Sequence, residues 1–471
     1  MKIAFVHYHL KTGGVTSVLK RQISAVQGVC DTLVLTGDRA STALPCSVIE
    51  ISGLGYDQPG VSPPDAEQVA DRMLRALSGT WPGGCDILHV HNPTLAKNRN
   101  FLQVIKLLQQ AGVNLFLQIH DFAEDGRPDL YFRAEAYPAD CHYGVINARD
   151  AGFLLGSGLD CAGLHHIPNA VLGMPANDFQ ARQRQVLYPV RAIRRKNLGE
   201  AILLSMFFKE NRRLAITQPP NSPADAASYR DWTHWVNRNR LCVDFEVGKN
   251  TDFTSLLQRS CSVVTTSIAE GFGLSFLEPW TAGKLLWGRR LNHICEDFEK
   301  SGIRLDHLYD RLDIPLVWID AAAFSRDWHA AVQRAVRSYG HPVSEEMAGC
   351  AFARMTSGEI VDFGMLSEKY QRQVLTHLIA APSDRNQLTA LNPWLSCPGA
   401  LPDPEAGAII EENRRAALQH YGMPLYRIRL LKIYDQVRSH PVCQRIDKIA
   451  LCTAFFDLDR FSLLKWGTYD G

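Results

Sequence analysis

The chain has 471 residues, 46% hydrophobic and 21% charged, which is enough for two or three domains with cores of their own. Its 50 Lys and Arg nearly cancel 49 Asp and Glu, so bulk charge selects neither nucleic acid nor an anionic membrane surface as partner. No run of about 18 apolar residues occurs, which excludes an ordinary membrane-spanning helix.

The opening Met-Lys-Ile-Ala-Phe-Val-His reads as a first buried strand, because it lacks the small-residue cleavage site of a signal peptide. A cytoplasmic protein is the expectation. Twelve cysteines are scattered from Cys30 to Cys452 without a Cys-x-x-Cys or a Cys/His grouping, and read as reduced, mostly buried thiols.

Along residues 1–180, short β-branched runs alternate with amphipathic stretches, as parallel α/β layers require. Strands are predicted at 2–6, 32–36, 47–51, 86–91, 113–120 and 143–147, with helices at 17–27, 65–77 and 101–111. The alternation pauses in the polar segment 176–185. A second α/β domain, 181–340, follows, with strands predicted at 186–190, 214–217, 241–245, 262–266, 284–287 and 315–319. Its helices fall at 198–209, 223–238, 253–260, 274–282 and 321–339. Residues 341–471 read as a mainly helical C-terminal extension, with helices at 363–379, 405–419, 425–440 and 447–464 and a Pro-rich break at 381–404.

Between the first strand and first helix lies His9-Leu-Lys11-Thr-Gly13-Gly14, where an open α/β sheet leaves its ligand crevice. It is not a dinucleotide fingerprint, since Gly-x-Gly-x-x-Gly is absent. A later strand ends in His120-Asp121. His89, His91, His165 and His166 read as structural. In the second domain, Tyr188-Pro-Val-Arg191-Ala-Ile-Arg194-Arg195-Lys196-Asn197 follows a strand and precedes a helix. A basic run is often a solvated face. At a strand's C-terminal end this one reads as a diphosphate clamp, with Arg gripping phosphate in a fork and Lys as a point charge.

The most informative segment is Ser267-Ile-Ala-Glu270-Gly-Phe-Gly-Leu-Ser-Phe-Leu-Glu278-Pro279. Gly271 and Gly273 allow positive φ and close backbone approach, and a helix after them would aim its free N–H groups at a phosphate. Eight residues of helix separate the two carboxylates by about 12 Å. Glycosidase carboxylates lie roughly 5 to 9.5 Å apart, so this pair suits opposite ends of a long ligand. Asp457-Leu-Asp459 has a metal-like spacing, but it lies in a predicted helix far from any phosphate loop, and no metal or cofactor is assigned.

Together these segments resemble family 4 of the retaining glycosyltransferases, which have the α/β GT-B architecture of two facing Rossmann-like domains. The resemblance rests on residues 1–20, 113–121, 186–200 and 262–283 and extends loosely over 1–340. It implies that Glu270 contacts the donor hexose while Gly271, Phe272, Gly273 and Leu274 approach the sugar and diphosphate. Glu278 is expected on the ribose hydroxyls. Arg191 and Lys196, spaced as in the family's Gly-Arg-x4-Lys pattern, are expected to hold the diphosphate, with Gly14 approaching it from the other domain and His120 facing the transferred sugar. His9, Lys11 and Asp121 are candidate acceptor contacts.

Val190 stands where that pattern has glycine, and Ile216-Thr-Gln-Pro-Pro replaces a glycine-rich loop. The phrases Tyr188 to Asn197, Glu296-Asp-Phe, Gly302-Ile303, Leu308-Tyr309, Ile314-Pro315 and Trp318-Ile-Asp320 are similar to the mannosylglucosylglycerate synthase-like branch.

The resemblance implies metal-independent transfer of a hexose from a UDP- or GDP-sugar, as co-substrate, to a hydroxyl of a small molecule or glycan. A sugar phosphorylase or nucleotide-sugar epimerase on the same fold stays open as an alternative, as does a non-catalytic sugar- or nucleotide-binding partner. A dehydrogenase is disfavoured by the missing glycine fingerprint.

Overall fold

The computed structural model describes the chain apart from residues 39–42, 63, 176–183, 210, 400–402 and 470–471. The chain forms two compact units: Met1–Ala170 with Tyr421–Phe456, and Val171–His420 with Asp457–Gly471. The polar segment at 176–183, and with it the boundary expected at 180, lies outside the described residues. Residues after 340 are shared between the two units. Among the described residues no helix is long and apolar enough to cross a membrane.

The first unit is built on seven parallel strands: β1 Lys2–His7, β2 Asp31–Thr36, β3 Ser47–Glu50, β4 Ile87–His91, β5 Leu115–Ile119, β6 His142–Val145 and β7 Leu164–His166. Their order is β3-β2-β1-β4-β5-β6-β7. β1, β4 and β5 are buried along almost their whole length, as continuous apolar runs in a sheet covered on both faces require. One face packs against helix Gly14–Val26 and, from far along the chain, helix Met423–Ser439 through Tyr426, Leu430, Ile433, Tyr434 and Val437. The other face receives helices Ala66–Thr80 and Phe101–Gln110, with Leu451 and Phe455 of helix Lys448–Phe455. Each such fully buried side chain contributes about 1.5–3 kcal/mol, which is why these two late helices join the first unit.

The second unit has five parallel strands, β8 Gln185–Arg191, β9 Arg213–Gln218, β10 Val243–Asp244, β11 Ser260–Thr265 and β12 Leu286–Gly288, in the order β10-β9-β8-β11-β12. Residues 315–319, expected as a further strand, behave otherwise. β13 Asp313–Pro315 pairs antiparallel with β14 Ile360–Asp362 as a separate ribbon, and Leu316–Trp318 is a 3₁₀ turn with Val317 84% exposed. The expected helix 447–464 is in fact three pieces, Lys448–Phe455, the 3₁₀ turn Leu458–Arg460 and Leu463–Trp466. The last piece returns to the second unit, where Phe461 O accepts from Trp328 Nε1 at 3.0 Å and the Phe461 and Trp466 rings stack.

The cysteines depart from the expectation of burial. All twelve are free, but only Cys30, Cys141, Cys295 and Cys452 are buried, and Cys161, Cys242, Cys350, Cys397 and Cys443 are exposed.

Candidate active site

In an open parallel sheet, ligands bind beyond the carboxyl ends of the strands where the order reverses. In the second unit that place lies between β8 and β11, the two strands that neighbour each other at the reversal. The segments leaving them are the basic run after Arg191 and the loop carrying Glu270.

The two segments are joined by hydrogen bonds. The buried Tyr188, in the middle of β8, donates from its hydroxyl to Lys196 O at 2.5 Å and lies 3.2 Å from Ser267 Oγ. Thr266 Oγ1 donates to Lys196 O at 3.1 Å or Asn197 O at 3.0 Å, and Ile268 N donates to Arg195 O at 3.0 Å. Asn197 ends the 3₁₀ turn Arg194–Lys196 at φ +53°, a left-handed conformation that Asn tolerates better than most side chains. Its side chain is held by Glu200 at 2.7 Å and Gln371 at 2.8 Å.

This framework brings Lys196 and Glu270 into a hydrogen-bonded ion pair. Burial alone would push the Glu270 carboxyl up. The charges of Lys196 and Arg195, with hydrogen bonds from Lys196 and Ser267, outweigh it and hold Glu270 below the usual carboxylate range. Arg191, at the end of β8, turns its guanidinium to Gln218 Oε1 at 2.9 Å and Pro219 O at 3.4 Å. Arg194 points elsewhere: it forks onto Glu368 at 2.7 and 2.9 Å and reaches Gly467 O at 2.6 Å, fastening the returning C-terminal piece. The basic run is therefore divided, with Arg191, Arg195 and Lys196 at the crevice and Arg194 structural.

Of the two loop glycines, only Gly273 takes a positive φ, at +79°. A Cβ there would come within 2.9 Å of Ile294 and Phe276, so this position is closed to larger residues by its surroundings as well as its backbone. Phe272 packs edge-on against Phe298 with centroids 5.5 Å apart. The continuous helix expected at 274–282 is a 3₁₀ turn, Leu274–Phe276, followed by the single helical turn Glu278–Thr281. Pro279 removes one backbone donor at that start. The estimate of about 12 Å along a helix thus does not apply to Glu270 and Glu278. Glu278 opens the short helix, partly exposed.

Behind the clamp is a buried ionic cluster that sequence reading missed. Arg289 forks onto Glu200 at 2.8 and 2.7 Å and onto Asp362 at 2.8 and 2.7 Å, while Tyr309 donates to Glu200 at 2.6 Å. Burial pushes the Glu200 carboxyl up. Asp362, which also accepts from the N–H groups of Leu312 and Gly364, is held low by Arg289 against its own burial. The chain Arg289, Glu200, Asn197 ties the clamp turn to the core.

In the first unit the order reverses between β1 and β4. After β1, His9 Nε2 lies 3.0 Å from Tyr56 Oη and Lys11 pairs with Asp38 at 2.7 Å. Gly14 is the first residue of its helix, and a Cβ there would meet nothing within 4 Å, so protein packing does not demand glycine at this point. After β5, His120 N and Asp121 N donate to Asn92 Oδ1 at 2.7 and 3.2 Å, and Asp121 accepts from Arg127 at 2.7 Å. His120 Nε2 lies 2.8 Å from His91 Nδ1. Burial pushes His120 down to about 4 and His89 to about 3, and holds His7 and His91 well below the ordinary histidine value. This group is neutral at neutral pH.

Among the described residues no group of three or more His, Cys, Asp or Glu is placed to hold a metal ion. Asp457 caps its own 3₁₀ turn, and Asp459 pairs with Arg354 at 2.7 Å.

No protein-family model matches the chain. A mannosylglucosyl-3-phosphoglycerate synthase of Petrotoga mobilis is 26% identical over 261 residues, 49% of this chain and 51% of that protein, so the chain spans about half the length of this relative. Among solved structures, HepE of Anabaena in complex with UDP-glucose is similar with a TM-score of 0.56 and 13% identity, over 92% of this chain and 99% of that one. Sucrose-phosphate synthase of Thermosynechococcus elongatus gives a TM-score of 0.55 and 15% identity, over 92% and 98%. The chain thus has the GT-B fold, two Rossmann-like parallel-sheet domains with helices, and a distant likeness in sequence to a mannosylglucosyl-3-phosphoglycerate synthase over half its length.

Proposed function

We propose that the protein is a cytoplasmic, family 4 retaining glycosyltransferase that moves a hexose from a UDP- or GDP-sugar to a hydroxyl acceptor without a metal. The observation that carries this reading is the set Arg191, Arg195, Lys196 and Glu270 at the strand-order reversal of the second sheet. Lys196 and Arg195 act on the one carboxylate, Glu270, and Arg191 ends the neighbouring strand on Gln218, a local excess of positive charge suited to a diphosphate.

In the transfer, the bond between the anomeric carbon and the diphosphate oxygen breaks with its electron pair on the diphosphate, the acceptor oxygen bonds to the same carbon, and the acceptor hydroxyl's proton passes to the departing diphosphate. Arg191 and Lys196 meet the charge that develops on the leaving group. Such preorganised contacts contribute most where charge appears in the transition state. Glu270, beside Lys196, is assigned to the hexose, the backbone from Gly271 through Phe272 and Gly273 to Leu274 to the sugar and diphosphate, and Glu278 to the ribose. In the first unit, Gly14 is assigned to phosphate approach, His120 to the transferred sugar, and His9, Lys11 and Asp121 to the acceptor. UDP-glucose bound to HepE, a protein of the same fold, supports a nucleotide-sugar donor, and the name of the Petrotoga relative supports a glycosylated product.

The reading is tested by incubating the protein with UDP- and GDP-hexoses and following nucleoside diphosphate release, with the product anomer assigned by NMR. Release with retained configuration is expected. Phosphate-dependent release of a sugar phosphate would point instead to a phosphorylase, and an inverted product would remove the assignment to a retaining enzyme.

A further inference from the structure

His91 has no task in the reading above, yet it is completely enclosed at the end of β4. It is wholly buried between His89, whose ring lies 4.6 Å away and tilted by 21°, and His120, which meets it edge to edge in nearly the same plane, with centroids 5.1 Å apart and planes 14° apart. Its Nδ1 lies 2.8 Å from His120 Nε2, while its own Nε2 is buried without a hydrogen-bond partner. Both rings are neutral, because burial opposes their protonation.

At 2.8 Å one of the two facing nitrogens carries the proton and the other accepts it. If His120 donated, the one proton of His91 would sit on Nε2 as an orphaned N–H in the core. If His91 donates from Nδ1, the orphan is only a lone pair. Orphaned buried N–H groups are rarer than under-used acceptors, so the second arrangement wins. His120 Nε2 is then an acceptor and its proton is confined to Nδ1. The next residue, Asn92, fixes the same histidine from the backbone side, accepting from His120 N at 2.7 Å. The end of β4 therefore sets both the position and the proton of His120.

We infer that His91 is a positioning residue that locks the tautomer of His120, so that His120 offers an Nδ1–H donor to an oxygen of the bound sugar. The part concerning sugar rests on the glycosyltransferase reading; the tautomer does not.

The test is a two-bond ¹H–¹⁵N correlation spectrum of the full chain labelled at histidine nitrogens, with His120 assigned by the signals lost in His120→Asn. Wild-type protein is expected to show His120 protonated at Nδ1 and bare at Nε2. In His91→Phe the proton should redistribute toward Nε2, and kcat should fall about tenfold, the scale of one hydrogen bond, with nucleoside diphosphate affinity unchanged. His91→Asn, whose amide nitrogen can take the place of Nδ1, should restore much of both. A wild-type His120 protonated at Nε2 overturns the inference without any variant. So does a His91→Phe protein whose His120 tautomer and kcat are unaltered. Failure of every nucleotide sugar to turn over would instead remove the glycosyltransferase reading and leave the tautomer result standing.

Discussion

Between β1 and β4 of the first sheet the innermost side chains are the buried, neutral rings of His7, His91 and His120, with the half-buried His9 against His7 and the ion pairs of Lys11 with Asp38 and Arg127 with Asp121 farther out. Between β8 and β11 of the second sheet they are ions, with Lys196 paired to Glu270, Arg195 acting on the same carboxylate, and Arg191 at the end of β8 turned to Gln218. The strand order reverses in the same way at both places, so topology supplies a crevice in each unit and the side chains decide what it suits. Neutral rings favour hydroxyls, which need directional hydrogen bonds. Fixed cations favour phosphate. The second crevice also needs bracing, because charges held out of water must be matched, and the buried Arg289 cluster provides it through Glu200 and Asn197.

The contrast is sharpest under acid. The buried histidines of the first unit have folded pKa values below the ordinary one, so as pH falls below about 6.5 the unfolded chain takes up protons that the folded chain refuses, and stability is lost. The window runs from the ordinary value down to about 4 for His120 and about 3 for His89. Each histidine costs about 1.4 kcal/mol per pH unit within it. Urea unfolding at pH 7 and pH 5, read by hydrogen exchange in β4 and β11, should show the first unit weakening more. Equal loss in both units would break the comparison.

Arg289→Met would leave Glu200 and Asp362 buried without their cation. A loss of about 3–5 kcal/mol is expected, measured by chemical denaturation. A neutral result would mean the cluster does not brace the clamp.

Removing either clamp cation, as Arg191→Ala or Lys196→Ala, should lower turnover by roughly 10²–10³-fold with little effect on folding, the scale of one preorganised electrostatic contact. Steady-state rates near wild type in either variant would make that residue a surface charge. Glu278→Gln should weaken nucleoside diphosphate binding by on the order of 1.5–3 kcal/mol, through loss of a charged hydrogen bond to ribose. Chelation with EDTA should change nothing, and activity lost to EDTA and restored by Mg²⁺ or Mn²⁺ would contradict a purely cationic clamp.

Most of the sheets were legible in the sequence because central parallel strands are continuous apolar runs, as in Ile3-Ala-Phe-Val6. The ribbon at Asp313–Pro315 was not, since Val317, Trp318 and Ile319 read as a strand although Val317 faces solvent. The periodicity of 425–440 predicts a helix but says nothing of the sheet it covers, which depends on contacts such as Tyr434 to His89 at 2.8 Å. At the candidate site, residue types and spacing identified Arg191, Lys196 and Glu270. That Lys196 meets Glu270, that Arg194 leaves for Glu368, and that Tyr188 and Asn197 shape the turn are results of folding over dozens of residues. The exposed cysteines were misread because free thiols are usually buried, a preference that single positions need not follow.

The most direct test of the ionic crevice is calorimetric titration of UDP and GDP into wild-type protein, Lys196→Ala and Glu270→Gln. Lys196 and Glu270 are each other's partners, so removing the carboxylate's charge frees the lysine for phosphate. The expectation is that wild-type protein binds one of the nucleotides, Lys196→Ala binds it at least tenfold more weakly, and Glu270→Gln binds it as tightly or more tightly while its kcat falls. Equal affinity in wild type and Lys196→Ala, or a large loss in Glu270→Gln, would contradict the assignment of this crevice to the diphosphate.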